Sequence, residues 1–392
     1  MKIKSVEAIV LSYKYEKAIS DALNVFDTRN AVLVKLTADN GLIGWGESAC
    51  FGGPPFSTAH MIEHELARYV IGEDPTDIMK ILQHMWVGSR MHGRAGLTAA
   101  AMSGIDIALW DMIGKLAGLP LYKVVGAYRD QLIPYASAGF YQAGKDAAGL
   151  AEEVGRYMEQ GYRYAKIKCA RTPAEFMSPV NDMPFPEYNT WTMEEDLERI
   201  EACAKAVKGK GRLMVDGNGA WTPFDAIKVG RELEKLGVYW FEEPVATDDI
   251  DGSARVADAL DIPISGYETQ TNMYAFRDMI QRRAVDIVQP DCIWSGGFTI
   301  AKKIAAMAEL YHMPVVPHVF ATGISLAANM HLIASIPNGS LLEFDQNPYP
   351  FRDELLADPI TVTDGVVKMP EAPGLGIEIN QAVIDKYRIF EK

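Results

Sequence analysis

The sequence predicts an α/β protein in which a closed barrel of alternating strands and helices follows a separate α+β unit. Short apolar runs end in ionisable residues, and from Asp216 onward these ends lie 26, 26, 23, 27 and 25 residues apart. Such a spacing is typical of a parallel βαβ unit, which has one strand, one helix and two short loops. The carboxyl ends of barrel strands converge on one face, where active sites are built. The ends of the runs are Lys166, Lys168, Asp216, Glu242, Glu268, Asp291, His318 and Glu343.

Residues 1–125 show the other pattern, in which strands come first and helices follow. Residues 3–12 and 31–47 alternate as β-strands, and Asp39-Asn-Gly41 lies between two apolar runs. This is a strong tight-turn signal, so we expect an antiparallel hairpin or meander. Residues 14–30 are predicted to form an adaptable loop.

A second predicted loop and a buried helix complete the α+β unit. Cys50–Phe56 is punctuated by Gly and Pro and carries aromatic residues, as loops often do. Ala99–Leu119 is apolar and rich in small residues, with its large side chains at helical spacing. Gly118-Leu-Pro120 is expected to end that helix.

The predicted barrel occupies residues 126–350. Its first strand is expected at Ile133–Gly139 and its first helix at 146–160. The step from the second strand to the third is nearly twice the others, and the excess lies in Cys169–Thr192. A long irregular segment at a catalytic rim is more often a lid or substrate wall than disorder.

The C-terminal segment, residues 351–392, is predicted to leave the barrel. Ile360–Val367 has a hairpin-like pattern around Asp364-Gly365. We expect this hairpin to rejoin the N-terminal sheet.

Composition narrows the class of protein. The chain of 392 residues is 48% hydrophobic and 23% charged, as is ordinary for a globular protein, and its net charge is −14. That charge argues against a nucleic-acid or anionic-membrane partner. We expect a cytoplasmic protein, because no signal-peptide pattern or apolar run of about 18 residues is evident. The four cysteines lack CxxC spacing, which fits reduced thiols.

Asp216, Glu242 and Glu268 end three successive strands, so their carboxylates are expected around one point. Clustered carboxylates repel one another unless a cation lies between them. Hard oxygen ligands suit Mg²⁺, with Mn²⁺ as a substitute, and the absence of His and Cys from the trio argues against zinc. The alternative is that each carboxylate simply pairs with a barrel lysine.

Lys166 and Lys168 are two residues apart, so both side chains fall on one face of their strand. Two close ammonium groups push one towards neutrality, which would make it a general base. The alternative is a structural pair of cations.

Asp291 and His318 end the next two strands, where the carboxylate can orient the imidazole and raise its basicity. A histidine at a strand end is often only a satisfied core residue, but its place opposite the lysine strand favours a second acid/base. Together these groups predict removal of a proton α to a carboxylate, helped by a metal ion.

The motifs resemble those of the enolase superfamily, in its mandelate racemase subgroup, over essentially the whole chain. The resemblance implies a (β/α)₇β TIM-like barrel with an N-terminal α+β capping domain completed by the C-terminal tail. The motifs are Lys166-Ile-Lys168, Asp216-Gly-Asn218, Phe241-Glu-Glu-Pro244, Gly266-Tyr-Glu268, Gln289-Pro-Asp291, Pro317-His318 and the helical Ile105–Asp111.

The same resemblance implies roles for these residues. Mg²⁺ would lie on Asp216, Glu242 and Glu268. Lys168 would be one general base, with its pKa lowered by Lys166, and His318 in a dyad with Asp291 would be the acid/base on the opposite face. Glu343 would hydrogen-bond the substrate carboxylate, and Asn218 would lie near the metal and the substrate.

Most members with this set resemble acid-sugar dehydratases, which convert aldonates or aldarates to 2-keto-3-deoxy acids. In that reaction the base removes the C2 proton and His318 expels the 3-hydroxyl. The alternative is a racemase, an epimerase or a sugar-acid lactone cycloisomerase, to which the tail after Glu343 is also similar. The polar loop residues Asp21, Asn24, Asp27 and Arg29 favour a polyhydroxylated substrate, and the resemblance suggests a homo-oligomer.

Overall fold

The computed structural model of the protein describes residues 1–51, 53, 55–91, 93–171 and 192–391. The lid or substrate wall predicted at Cys169–Thr192 falls mostly on residues 172–191, outside the described residues.

The N-terminal part opens with a three-stranded antiparallel sheet of β1 (Ile3–Ser20), β2 (Val25–Ala38) and β3 (Ile43–Ser48). The predicted tight turn at Asp39-Asn-Gly41 joins β2 to β3, and Gly41 there has φ +86°. The predicted loop at 14–30 is wrong, because β1 and β2 continue as a long hairpin whose tip is residues 21–24. The pairing register shifts between Lys14 and Ile19, which breaks the alternation that would have marked the strand.

Helices cover one side of this sheet. They are α1 (Pro55–His60), a π-helical turn (Met61–Leu66), a 3-10 turn (Ala67–Tyr69), α2 (Ile78–Ser89), α3 (Leu97–Ala117) and α4 (Leu121–Val124). The predicted apolar helix is α3, and Gly118 ends it in the left-handed conformation. Its apolar stretch is long enough to cross a membrane by composition, but 83% of it is buried inside this fold. Such burial is what the core helix of a globular domain shows.

Helix α3 lies directly on β3 because glycines remove the side chains between them. A Cβ added at Gly46 would lie 2.0 Å from the carbonyl oxygen of Gly104. This close approach buries one face of α3 against β3.

The second part is a parallel barrel in the strand order β10-β4-β5-β6-β7-β8-β9. Val315 closes the ring, because it bridges Val288 of β9 on one side and Gly339, just before β10, on the other. The strands are β4 (Gln131–Ser137), β5 (Tyr164–Lys168), β6 (Arg212–Asp216), β7 (Phe241–Glu242), β8 (Ile264–Gly266), β9 (Ile287–Val288) and β10 (Leu341–Asp345).

Helices alternate with these strands and pack around them. They are α5 (Ala147–Glu159), α6 (Met193–Val207), α7 (Pro223–Leu236), α8 (Ile250–Ala259), α9 (Asn272–Gln281), α10 (Phe298–Leu310) and α11 (Gly323–Ala334). The first predicted strand and helix are confirmed as β4 and α5. Asp146 caps α5 by accepting a hydrogen bond from the amide of Gly149, the usual role of an N-cap carboxylate.

The C-terminal tail contains α12 (Pro350–Asp353), β11 (Val367–Lys368) and α13 (Gln381–Tyr387). The predicted return of the 360–367 hairpin to the N-terminal sheet is wrong, because β11 pairs with Gln131 and Leu132 of β4. The parallel partners of β4 begin only at Ile133, so its first two residues offer a free edge.

The last helix of the tail and the residues after it reach the N-terminal sheet, where Tyr387 packs against Tyr13 of β1. Arg388 bridges Leu11 of β1, and the amide of Ile389 donates to the carbonyl of Val10 at 2.9 Å.

Buried polar contacts fix the capping domain to the barrel. Glu47 of β3 accepts hydrogen bonds from the Thr322 amide (3.2 Å), the Thr322 hydroxyl (2.6 Å) and the Ser325 amide (3.0 Å). These amides lie at the start of α11, so a carboxylate from the cap binds the positive end of a barrel helix. Burial raises the pKa of Glu47 to about 7.

A second contact joins the long hairpin to the last barrel strand. The Arg29 guanidinium donates to Asp345 at 2.7 Å and lies between two aromatic rings, 3.7 Å from the centroid of each. The rings belong to Phe320 and Tyr349. Since all four groups are buried, the hairpin is held rigidly over the carboxyl end of the barrel.

Candidate active site

The ionisable residues predicted to share one rim do lie at the carboxyl ends of the barrel strands. Lys168, Asp216 and Glu242 are the last residues of β5, β6 and β7, and Glu268 follows β8 by two residues. All four side chains are buried. The regular βα repeat therefore brings residues distant in sequence to one centre.

Asp216, Glu242 and Glu268 form a cluster that could hold a metal ion. Each offers one carboxylate oxygen, and the three oxygens lie within 4.8 Å of one another. The donors are hard oxygens, which fit Mg²⁺ or Mn²⁺. Burial, with repulsion from neighbouring carboxylates, raises the pKa of Glu242 and of Glu268. A cation held among the three would relieve that repulsion.

The lysine pairing considered as an alternative is also present. Lys166 Nζ contacts Glu242 and lies 2.9 Å from Glu343, while Lys168 Nζ contacts Asp216. Each lysine thus has a carboxylate partner from a neighbouring strand. This pairing is compatible with a metal ion bound by the same carboxylates.

Lys166 does act to lower the pKa of Lys168, as expected, but the net shift of that pKa is upward. Burial and Lys166 both act to lower that pKa, but the attraction of Asp216, assisted by Glu268, outweighs them and raises it. The two lysines are neighbours on β5, whereas the carboxylate against Lys168 comes from β6, a contact that only the folded barrel creates.

His318 and Asp291 form the predicted dyad. Nδ1 of His318 donates to Asp291 Oδ2 at 2.9 Å, and Oδ1 of Asp291 accepts from Asn329 Nδ2 at 3.1 Å. Nε2 of His318 lies 3.4 Å from Glu268. Burial lowers the pKa of the imidazole, but Glu268, Glu343 and Asp291 outweigh it and raise the pKa to about 9. Asp291 therefore orients the ring, and the surrounding carboxylates favour its protonated form.

Glu343 lies behind the cavity rather than in its lining. Its oxygens accept hydrogen bonds from the Ser137 hydroxyl at 2.6 Å and from the Val319 amide at 2.8 Å. Asn218 does line the cavity, and its amide donates to Asp216 Oδ1 at 2.9 Å. Oδ1 of Asn218 is buried and accepts no hydrogen bond from a described residue.

A cavity of about 240 Å³ opens beside the carboxylate cluster, between the barrel rim and the hairpin tip. One wall is polar and the other is aromatic, with the Phe140 and Phe320 rings stacked at 5.3 Å and Phe51 5.6 Å from His318. The polar lining residues are Asp21, Asn24, Lys168, Asn218, Glu243, Thr247, Glu268, Thr269 and His318, and the apolar ones are Leu23, Phe26, Phe51, Phe140, Trp294 and Phe320.

Among the predicted polar loop residues, only Asp21 and Asn24 line this cavity. Asp27 is exposed on the same hairpin, and Arg29 is committed to Asp345. The predicted contribution of the hairpin to the site is thus confined to its tip.

Sequence reasoning assigned no role to two residues that the structure places in the site. Glu243 is buried in the lining, and its Oε1 accepts from the amide of Glu268 at 3.0 Å. Gln289 Nε2 donates to Glu242 Oε2 at 2.9 Å. Both residues lie within the motifs Phe241-Glu-Glu-Pro244 and Gln289-Pro-Asp291, close to residues that were assigned a role. Their position in these motifs is the sequence feature that could have indicated a role in the site.

Comparison with known proteins yields matches over the whole chain. The "Enolase C-terminal domain-like" family matches residues 149–383, and the "Mandelate racemase / muconate lactonizing enzyme, N-terminal domain" family matches residues 5–126. An arabinonate dehydratase from Saccharolobus solfataricus is 33% identical over 390 residues, covering 98% of this chain and 99% of the relative. A D-galactarolactone cycloisomerase from Agrobacterium fabrum is 34% identical over 399 residues, covering 99% of each. The crystal structure of the 3,6-anhydro-D-galactonate cycloisomerase from Zobellia galactanivorans has a TM-score of 0.86 at 32% identity and covers 100% of both chains.

Proposed function

Because the chain belongs to the mandelate racemase subgroup of the enolase superfamily, we propose that it is a Mg²⁺-dependent dehydratase of a sugar acid. The observation that carries this proposal is that Lys168 and His318 line one cavity beside a cluster of three carboxylates. A base and an acid on either side of an anion-binding centre are what removal of an α-proton and expulsion of a β-hydroxyl require.

In the proposed reaction Lys168 Nζ removes the proton from C2 of the substrate. Mg²⁺ held by Asp216, Glu242 and Glu268 would bind the substrate carboxylate and stabilise the negative charge that develops there. Lys168 must lose its own proton to act as a base. The attraction of Asp216 stabilises the protonated lysine, so that attraction must weaken first. A metal ion bound by Asp216 would supply that weakening.

His318 Nε2 then donates its proton to the hydroxyl on C3, which leaves as water. The dyad with Asp291 keeps the ring in position, and the raised pKa keeps it protonated. The C2–C3 double bond forms as the C3–O bond breaks, and the resulting enol becomes the 2-keto-3-deoxy acid. Glu343 is proposed to hydrogen-bond the substrate carboxylate, although it lies outside the described lining of the cavity and pairs with Lys166 at 2.9 Å.

A cycloisomerase or epimerase is the second candidate, because the similarity to a lactone cycloisomerase is as high as that to a dehydratase. Both alternatives begin with the same removal of the C2 proton. They differ in what His318 does next. In a cycloisomerase it would protonate a ring oxygen, and in an epimerase it would protonate C2.

The test is incubation of Mg²⁺-loaded protein with aldonates, aldarates and their lactones in D₂O, with products read by proton NMR. A 2-keto-3-deoxy product supports the proposal. Deuterium incorporation with inversion at C2 would make the protein an epimerase, and rearrangement of a lactone ring would make it a cycloisomerase. No exchange with any acid would contradict all three.

A further inference from the structure

We propose that the cavity selects sugar acids with a single carboxylate, such as aldonates or lactones, and disfavours open dicarboxylates. The inference rests on the proposed function for one point, that a substrate carboxylate binds at the metal cluster. The inference specifies which class of sugar acid binds. It is argued from the residues that would face the end of the substrate farthest from the metal cluster.

The cations of the described lining lie together at the metal end. They are Lys168, which contacts Asp216, and His318, which is held between Asp291 and Glu268. Both cations are thus already paired with carboxylates of the protein and lie away from a second carboxylate at the distal end of the substrate. Asp21, Glu243 and Glu268 supply the remaining ionisable groups of the described lining, and all three are carboxyl groups.

The hairpin tip brings the carboxylate of Asp21, a hydrogen-bond acceptor, to the cavity. Asp21 is buried, and its carboxylate accepts from the Leu23 amide (2.8 Å), the Asn24 amide (2.7 Å) and the Asn24 side chain (3.2 Å). Asn218 adds a buried oxygen that accepts nothing from the described residues. Acceptors such as these bind the hydroxyls of a sugar, whereas an ionised carboxylate is itself only an acceptor.

The two arginines near the hairpin have other partners. Arg29 is bonded to Asp345, and Arg171 NH1 donates to the main-chain oxygen of Asp21 at 2.5 Å. Neither belongs to the described lining. Residues 172–191, which the structure leaves undescribed, contain no Lys or Arg in the sequence, so that segment brings no cation of its own.

The aromatic wall supports the same choice. Carbohydrate C–H faces and ring carbons are apolar and pack well against Phe26, Phe51 and Phe320. A charged carboxylate placed against those rings would lose its hydration without gaining a cation, which is strongly unfavourable. A neutral distal end therefore fits the cavity better than an anionic one.

The first test is a pair of binding measurements by calorimetry on the Mg²⁺-loaded protein. Each pair shares its stereochemistry and differs only in the terminal group: galactonate with galactarate, and gluconate with glucarate. We expect the monocarboxylate of at least one pair to bind at least tenfold more tightly than its partner. Equal or tighter binding of the dicarboxylates would overturn the inference, and so would the absence of binding by all four acids.

Turnover of the same acids separates this inference from the proposed function. A dicarboxylate that is bound tightly and dehydrated would confirm the dehydratase and defeat the selectivity. Monocarboxylates that bind selectively but undergo no exchange in D₂O would leave the selectivity standing and defeat the proposed chemistry.

The second test is Asp21→Asn, with Asp27→Asn as the matched control. Asparagine keeps an oxygen that can accept the two amide bonds of the hairpin tip but removes the negative charge facing the cavity. We expect the preference for the monocarboxylate to shrink by at least threefold in Asp21→Asn and to stay unchanged in Asp27→Asn, which alters an exposed carboxylate outside the described lining. An unchanged preference in Asp21→Asn, with thermal stability retained, would show that this carboxylate does not set the selectivity.

Discussion

Each of the two proposed catalytic residues contacts one candidate metal ligand. Lys168 contacts Asp216, and His318 lies 3.4 Å from Glu268 while its other ring nitrogen is held by Asp291, outside the carboxylate cluster. A bound metal ion would therefore alter the charge around both side chains. Their proposed roles differ, so two reaction steps can be measured to test them separately.

We expect Lys168→Ala to abolish both deuterium exchange at C2 and dehydration, because Lys168 is the proposed base that removes the C2 proton. His318→Asn should slow dehydration by a factor on the order of 10²–10⁴, the usual contribution of a general acid, while exchange at C2 persists. Proton NMR in D₂O measures both rates. His312→Asn changes an exposed histidine off the rim and should alter neither; full dehydration by His318→Asn would move the acid role elsewhere.

His331 is a buried histidine whose bonds specify the neutral form. Its Nδ1 accepts from the Tyr122 amide at 3.1 Å, and its Nε2 donates to the Leu375 carbonyl at 3.1 Å. Protonation would put a second N–H against the Tyr122 amide. Burial lowers the pKa of His331 from 6.5 to about 4, so the folded protein resists the proton that the unfolded chain accepts.

This difference predicts a loss of stability in acid. Between pH 6.5 and 4 the unfolded chain binds more protons at this position, so the free energy of unfolding falls as the pH falls, by up to about 3 kcal/mol. Denaturant unfolding at pH 7.5, 6 and 5 measures it. His331→Gln, which retains a donor and an acceptor, should show a shallower decline; an identical decline in both proteins would contradict the assignment.

At the scale of elements, the contact between α3 and β3 depends on the absence of side chains. A methyl group at Gly46 would meet a backbone oxygen that cannot move without shifting the helix. We expect Gly46→Ala to lower the free energy of unfolding by about 3 kcal/mol, as overpacked cores do. Gly155→Ala, in α5 with open space around its Cβ position, should instead raise it by about 0.5–1 kcal/mol. Denaturant unfolding of both variants measures these changes in the free energy of unfolding. Equal effects of the two substitutions would contradict the prediction.

The elements that could be predicted from the sequence are those with a regular local pattern. The barrel strands and helices repeat at a constant interval, so the interval alone places Asp216, Glu242 and Glu268 together. The extension of β1 beyond Lys14 escaped prediction because a register shift interrupts its alternation. The partner of β11 escaped because local alternation identifies a strand but not the distant edge that it pairs with.

The same limit explains which parts of the site were missed. The aromatic wall draws Phe26 from the hairpin, Phe140 from the loop after β4 and Phe320 from the segment before α11. Each alone looks like an ordinary core residue, and only the fold brings them together. The raised pKa of Lys168 likewise depends on a carboxylate from the neighbouring strand.

For the whole molecule, the metal cluster couples ligand binding to stability. Its carboxylates come from three different strands, so an ion bound there holds only when the barrel is folded. We expect saturating Mg²⁺ at 100 times its dissociation constant to raise the free energy of unfolding by about 2.7 kcal/mol. Thermal melts with Mg²⁺ and with a chelator measure the difference.

Glu242→Gln should lose most of this Mg²⁺-dependent shift, and Asp258→Asn, which changes an exposed carboxylate far from the cluster, should keep it. A shift of the same size in Glu242→Gln would remove that residue from the ligand set.

The closing contacts of this fold also bear on how the protein emerges from the ribosome. Barrel closure joins Ile133 to Leu341, and the sheet of the cap meets the tail through Leu11 and Arg388. A nascent chain therefore exposes the open edges of β4 and β1 until β10 and Arg388, respectively, have been synthesised. Pairings this distant form slowly and leave apolar surface uncovered meanwhile. The active site, to which β10 contributes Glu343, is therefore complete only after that strand has been synthesised and has paired with β4.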